Sequence, residues 1–203
     1  MEITTEYILT LENKLQKTLT PKRYLHTLGV AYLSAALAMR HGVNHRVALV
    51  AGLLHDCAKH YPDDELQEKC KQLHLDVSEH ELRLPQLLHA PYGAYLAQAE
   101  YKITDLNIIH AIRNHTVGRP EMSKLEQIVF LADYMEPERT QTTNPDLDEL
   151  RHIAFQDLNK ATYLVLENTL RYFETTKQDT APETYQTSQY YKEIMEETMK
   201  KGE

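Results

Sequence analysis

Residues 47–62, VALVAGLLHDCAKHYP, decide how the rest of the chain is read. Val47, Val50, Ala51, Leu54 and Ala58 recur at intervals of three and four, the period of one helix face. The spacing predicts a helix from near Asn44 to just before Pro62. His55, four residues after Ala51, sits at the border of the apolar face with its imidazole turned inward, and Asp56 follows about 100° further round. Lys59, three residues after Asp56 and four after His55, lies on the same side. Buried polar groups cost free energy unless they are satisfied, so the pair is either an internal hydrogen-bonded pair or part of a site. With 11 histidines in 203 residues, the dipeptide alone does not decide.

The flanking chain reads as helices throughout. The 6 Gly and 8 Pro fall between segments whose apolar residues repeat at three and four, and no two-residue alternation competes. Thr20 and Pro21 suit an N-cap and first helical residue, the stripe Leu25, Leu28, Tyr32, Ala36 follows as the expected core face, and Gly42 suits the end. Further helices are predicted over 63–73, from about Pro91 to Tyr101, from a cap at Thr104 or Asp105 to before Gly118, and from the capping-box pair Ser123 and Glu126 to Pro137. TQTTNPD, residues 140–146, reads as a loop and residues 147–173 as one long helix. The polar, Thr-rich stretch 175–187 reads as a linker before an amphipathic helix around Tyr190 to Met199. The expected fold class is all-α: a compact helical domain over residues 1–174, with a polar linker and helix in 175–203 packed on the same domain.

Composition narrows the function. A chain with 42% hydrophobic and 26% charged residues buries a core as an ordinary globular protein does. No stretch reaches the roughly 18 uninterrupted apolar residues of a membrane span. MEITTEYILTLENKLQ lacks the basic and apolar segments of a secretory signal, so the expectation is a cytoplasmic protein. The formal charge of −8 argues against a nucleic-acid or acidic-membrane surface. An anionic small molecule would have to be held locally, by a few cationic side chains or by metal ions. Cys57 and Cys70 lack Cys-x-x-Cys spacing and read as buried thiols.

The inward polar residue recurs on other segments. His26 follows Leu25, His115 lies three after Ile112, Asp133 lies four after Val129, and His89 sits in LPQLLHAPYG just before a Pro-led helix. His41, His45, His60, His74 and His80 read as surface or turn residues. A lone histidine on an apolar border is usually a satisfied core residue, but five segments that each carry a metal-competent side chain favour a site. Four imidazoles and two carboxylates without a thiolate suit iron, manganese, zinc or cobalt, and poorly suit calcium or magnesium. Six ligands are too many for one ion with an open position, whereas two divalent transition-metal ions sharing a carboxylate or hydroxide use them all.

In order, His26, His55, Asp56 and Asp133 resemble the motif of the HD-domain superfamily of metal-dependent phosphohydrolases. RYLHTLGVA, AGLLHDCAKH, LLHAPYGAYLA, IRNHTVGRP and IVFLADYMEPER, between Arg23 and Arg139, further resemble the bacterial YqeK-type family of symmetrical diadenosine tetraphosphate hydrolases. The resemblance implies a dinuclear centre, with iron as the expected metal, on His26, His55, Asp56, His89, His115 and Asp133. It implies cleavage of diadenosine tetraphosphate to two ADP through a metal-bridged hydroxide, with Asp56 bridging and Lys59 beside the attacked phosphate. Arg23 and Arg139 are further candidate phosphate contacts, with a surface salt bridge as the alternative. Thr116 and Gly118 suit a ligand-facing turn, although ending a helix is reason enough for that glycine. A homodimer is also expected. Three rivals share parts of the pattern. Another nucleotide, such as a guanosine alarmone or a deoxynucleotide, is open because nothing in the sequence reads the base. A diiron oxygenase has an overlapping ligand set. A non-catalytic nucleotide-binding module would be favoured by a missing ligand, and none is missing.

Overall fold

The structure, a computed structural model, describes residues 2–139 and 147–201. Eleven α-helices and a single 3-10 turn make it up, with no strand among the described residues. They are α1 (Thr5–Thr18), α2 (Pro21–His41), α3 (His45–Leu54), α4 (Asp63–Gln72), α5 (Glu79–Arg83), the 3-10 turn Pro85–Leu87, α6 (His89–Ala99), α7 (Leu106–Asn114), α8 (Lys124–Met135), α9 (Leu147–Ala154), α10 (Leu158–Thr176) and α11 (Pro182–Lys201). The all-α expectation holds. No helix among the described residues is long and apolar enough to cross a membrane. The expected loop at 140–146 lies outside the described residues.

Local chemistry sets the helix ends. Thr20 accepts from the Arg23 amide, Pro21 opens α2, and Gly42 closes it in the left-handed region at φ 72°, where a side chain would be strained. The Ser123–Glu126 capping box is complete, and of the two candidates it is Asp105 that caps α7.

Helix α2 packs along α3 and α8, α7 along α6 and α8, and α10 along α8, α9 and α11. The expected core stripe of α2 is out of phase, because Leu25 and Tyr32 are 54% and 57% exposed. The buried face is instead Thr27, Val30, Ala31, Ser34, Ala35, Leu37 and Ala38. Small residues win this face because α3 approaches it closely: a Cβ on Gly52 would stand 2.7 Å from the Ala31 Cα. The close approach brings His26 on α2 toward the His55–Asp56 turn that follows α3.

Three boundaries differ from expectation. The helix predicted to run to Pro62 ends at Leu54. The span 147–173 is two helices, because Asp157, at φ −145° and accepting from the Lys160 amide, caps a new start. The linker shrinks to residues 177–181, since α10 runs to Thr176 and α11 begins at Pro182. Residue 174 therefore falls within α10. Helices α1 and α5 occupy segments that the sequence reading leaves unassigned.

Candidate metal centre

Beyond Leu54 the chain continues as tight turns, in which the amides of Cys57, Lys59 and Tyr61 bond the carbonyls three residues back. His55 and Asp56 therefore do not stand on a helix face. His55 Nδ1 lies 2.6 Å from the Gly52 carbonyl, the group that Asp56 N would engage if α3 continued. The same device recurs at His89 Nδ1 with the Gln86 carbonyl (2.6 Å) and at His115 Nδ1 with the Ile112 carbonyl (2.7 Å). His115 follows the last residue of α7. His89 is the first residue of α6, with Pro91 two further on, which corrects its expected place before the helix. A carbonyl only accepts, so each Nδ1 carries the proton and each Nε2 is left as the free nitrogen.

Those nitrogens converge on Asp56, which is 3% exposed. Its Oδ1 lies 3.2 Å from His89 Nε2 and 3.6 Å from His115 Nε2, and its Oδ2 lies 3.6 Å from His55 Nε2 and 3.9 Å from His26 Nε2. Asp133 Oδ1 stands 3.1 Å from His26 Nε2 and 3.8 Å from His55 Nε2. The structure thus brings together all six expected ligands, and the carboxylate of Asp56 turns one oxygen to each histidine pair. Three overlapping triads have their donor atoms within 4.8 Å of one another: His26, His55, Asp56; His55, His115, Asp133; and Asp56, His89, His115.

The charge states suit a cation. Burial pushes the pKa of His55 down to about 4 and also lowers that of His89. Burial alone would raise the Asp56 carboxyl, but His55, His115 and His89 hold it below the usual carboxylate range; His26, His55 and His115 do the same for Asp133. Burial opposes protonation of His26, yet Asp133, Asp56 and Glu136 outweigh it and raise its pKa. The free nitrogens of His89 and His115 are 3.2 Å apart and both face the Asp56 carboxylate. Three acceptors meeting without a donor repel one another unless a cation lies among them, so the residues fit a bound divalent metal.

The cationic residues stand close by. Arg23 Nη1 bonds Asp56 Oδ2 at 2.7 Å, and Arg139 Nη2 bonds the Asp133 carbonyl at 2.6 Å and Oδ1 at 3.3 Å. Neither is a simple surface pair, because each covers a ligand carboxylate. Lys59 Nζ donates to the Gln86 carbonyl at 3.3 Å and stands 3.1 Å from His89 Nδ1. A cleft of about 490 Å³, lined by Lys22, Arg23, Leu25, His26, Glu136 and Arg139, opens beside His26. Thr116 follows His115 and has a buried Oγ1 without a partner among the described residues. Gly118, at φ 69°, lies against α11 instead, where a Cβ would be 3.1 Å from Thr187.

Two residues near this site were misjudged or missed from sequence. His80, expected at the surface, is 3% exposed. Glu136 is buried, with Oε1 3.3 Å from His26 Nδ1 and Oε2 accepting from the Glu138 amide at 2.7 Å. His26 lies inside a regular helix and takes this carboxylate where the other three rings take a carbonyl. Gly29 leaves the space, since a Cβ there would meet Glu136 Oε2 at 2.7 Å. Its only sequence signal is its place in YMEP, three residues after Asp133.

Comparison with known proteins places these residues in a wider set. The model of the HD domain matches residues 23–138. The chain is 38% identical over 174 residues to the symmetrical bis(5′-nucleosyl)-tetraphosphatase of Bacillus subtilis (strain 168), covering 85% of this chain and 90% of that protein. A protein of the same name from Halalkalibacterium halodurans is 38% identical over 171 residues, covering 83% and 88%. Among solved structures, a predicted HD superfamily hydrolase involved in NAD metabolism from Clostridium acetobutylicum superposes with a TM-score of 0.86 at 34% identity, covering 91% of this chain and 96% of that one.

Proposed function

Because the chain belongs to the HD-domain family of metal-dependent phosphohydrolases, we propose that it is a symmetrical dinucleoside tetraphosphatase that splits diadenosine tetraphosphate into two ADP. The observation that carries this reading is Asp56, whose two oxygens face two separate histidine pairs. In the proposed assignment Asp56 serves two ions, one also held by His26, His55 and Asp133 and the other by His89 and His115. The metal is proposed to be iron; manganese, cobalt and zinc accept the same donors. When bound, the two ions supply an acidified water that can attack phosphorus and positive charge against the phosphate oxygens.

The chain's own residues do the rest. Carbonyl and carboxylate partners at the four Nδ1 atoms hold the rings in the ligating tautomer. Arg23 and Arg139 release their carboxylates to phosphate oxygens, and Lys22 adds a third cation to the same cleft. Lys59 stabilises charge as it develops on the attacked phosphate or the leaving oxygen. Water adds to one of the two inner phosphorus atoms, the central anhydride bond breaks, and ADP departs needing little protonation. Thr116 contacts the nucleotide, whereas Gly118 serves the fold. The reading takes residues 1–174 as the catalytic domain, and the protein as cytoplasmic and homodimeric.

The test is product analysis with anaerobically purified, metal-replete protein and a panel of dinucleoside polyphosphates, alarmones and deoxynucleotides. Diadenosine tetraphosphate should give ADP alone, without oxygen. ATP plus AMP would show asymmetric cleavage, and preference for another nucleotide would replace the substrate.

A further inference from the structure

The cleft beside His26 serves one end of the ligand set. A second cavity, of about 330 Å³, begins at the other end. One wall is Gln86, whose carbonyl anchors both His89 Nδ1 and Lys59 Nζ, and another is Thr116, next to His115. Leu84, Leu87, Val117 and Phe173 supply apolar surface, and α10, the linker after it and α11 close the cavity with Thr169, Ala181 and Thr184 respectively. The Thr184 hydroxyl bonds the Val117 carbonyl at 3.4 Å, which fastens the C-terminal wall to the turn after His115.

Two polar atoms at this cavity have no partner among the described residues, Thr116 Oγ1 and His80 Nε2, although both are buried. His80 Nδ1 lies 3.4 Å from the Arg83 guanidinium and 3.7 Å from the Asp179 carboxylate, which leaves Nε2 as the ring nitrogen without a partner among the described residues. Native proteins seldom leave such groups unmatched unless something else completes them. Among the described residues no Lys or Arg lines this cavity and Asp179 is its one carboxylate, so an anion is not its occupant. An apolar slot with an aromatic wall, a few convergent polar atoms and a size at the lower end of ligand pockets suits an uncharged heteroaromatic ring.

We infer that this cavity binds a nucleobase with its ribose, as the nucleoside end of the substrate half whose phosphates lie on the His89–His115 side. The inference rests on the tetraphosphatase reading for the identity of the ligand, but its test does not depend on turnover. It also gives the C-terminal helices a binding role.

The experiment uses the full-length, metal-loaded protein and two probes, ADP and inorganic pyrophosphate, titrated calorimetrically into wild type, Phe173→Ala and Thr169→Phe. The first variant removes the aromatic wall and the second fills the cavity; circular dichroism and metal content verify each. ADP should bind about tenfold or more weakly in both, in line with loss of a base-stacking contact, with pyrophosphate unchanged. If Thr169→Phe does not fold, Phe173→Ala decides. Wild-type affinity for ADP, or equal weakening for pyrophosphate, overturns the assignment. Selective loss of ADP binding in a protein that leaves diadenosine tetraphosphate intact would keep the nucleoside site and remove the tetraphosphatase reading. Turnover with unchanged ADP binding in the variants would do the reverse.

Discussion

At Asp56 a single carboxylate is placed between two groups of free imidazole nitrogens, and that placement makes its neighbours unequal in a measurable way. Asp56→Ala takes an oxygen from each group, so both metals should be lost. His89→Ala should release about one equivalent and spare the ion on His26, His55 and Asp133. Metal quantification on folded variants decides: two ions kept by His89→Ala, or a full complement kept by Asp56→Ala, rules out the shared carboxylate. Glu136 gives a finer test. As the only carboxylate among the described residues that partners an Nδ1 of the candidate ligands, it raises the basicity of His26, and outer partners of this kind are typically worth about 10- to 100-fold in metal affinity. Glu136→Gln, and Gly29→Ala by crowding Oε2, should each weaken one of the two ions by that order in a chelator competition, while the other titrates as in wild type. Lys59 touches no ligand carboxylate, so Lys59→Ala should keep both metals and lose roughly tenfold to a thousandfold in kcat. Wild-type turnover would return it to a structural role.

At the scale of helices, buried caps carry stability that the metal does not. Glu126 is 1% exposed and accepts from Arg119, Asn114 and the Ser123 amide, which ties the start of α8 to the end of α7 and the turn after it. Burial alone would raise its pKa, but Arg119 and the Ser123 cap outweigh this and lower it. A depressed folded-state pKa contributes stability above the unfolded value and loses it as pH falls through the folded one. Glu126→Gln should therefore cost about 2 kcal/mol in urea unfolding at pH 7, since Arg119 is partly exposed and screened. The gap to wild type should narrow below about pH 4; a pH-independent gap would assign the loss to packing. This capping box was legible in the sequence, as were the starts of α2 and α7, because a cap is written within a few residues. The phase of α2 was not, because the large residues Leu25, Leu28 and Tyr32 recur at the right period and outweigh in hydrophobicity the small ones that the approach of α3 selects. The end of α3 was hidden too, since His55 interrupts the helix with a ring bond to Gly52, which no propensity records. The restart at Asp157 and the start at Pro182 were readable signals, overridden by the apolar period before one and the polar composition around the other.

Across the whole molecule, the six candidate ligands come from α2, the turn after α3, α6, the end of α7 and α8, so a metal held there would join the elements of the core. Five segments that each turn a metal-competent side chain inward, one of them carrying both His55 and Asp56, made the candidate ligand set legible, while Glu136 and the cavity at His80 depend on contacts between segments far apart in the chain. Without a cation, the centre gathers two carboxylates and four imidazoles, four of the six residues buried, which costs stability that a bound metal would return. Ligands that bind only the folded state at about a thousand times their Kd add about 4 kcal/mol, which for a chain of this size corresponds to roughly 10 °C in Tm. Chelation should lower Tm by that order, anaerobic reloading should restore it, and Asp56→Ala should melt at nearly the same temperature with or without metal, because it lacks the group that both ions would share. Glu126→Gln makes the control: it should melt lower in both states yet keep the full metal-dependent shift, since its contacts lie outside the centre. A wild-type Tm indifferent to chelation would mean that the core holds its shape without the ions and that the inward ligands are balanced by their own hydrogen bonds. An undiminished shift in Asp56→Ala would place the stabilising metal at other residues.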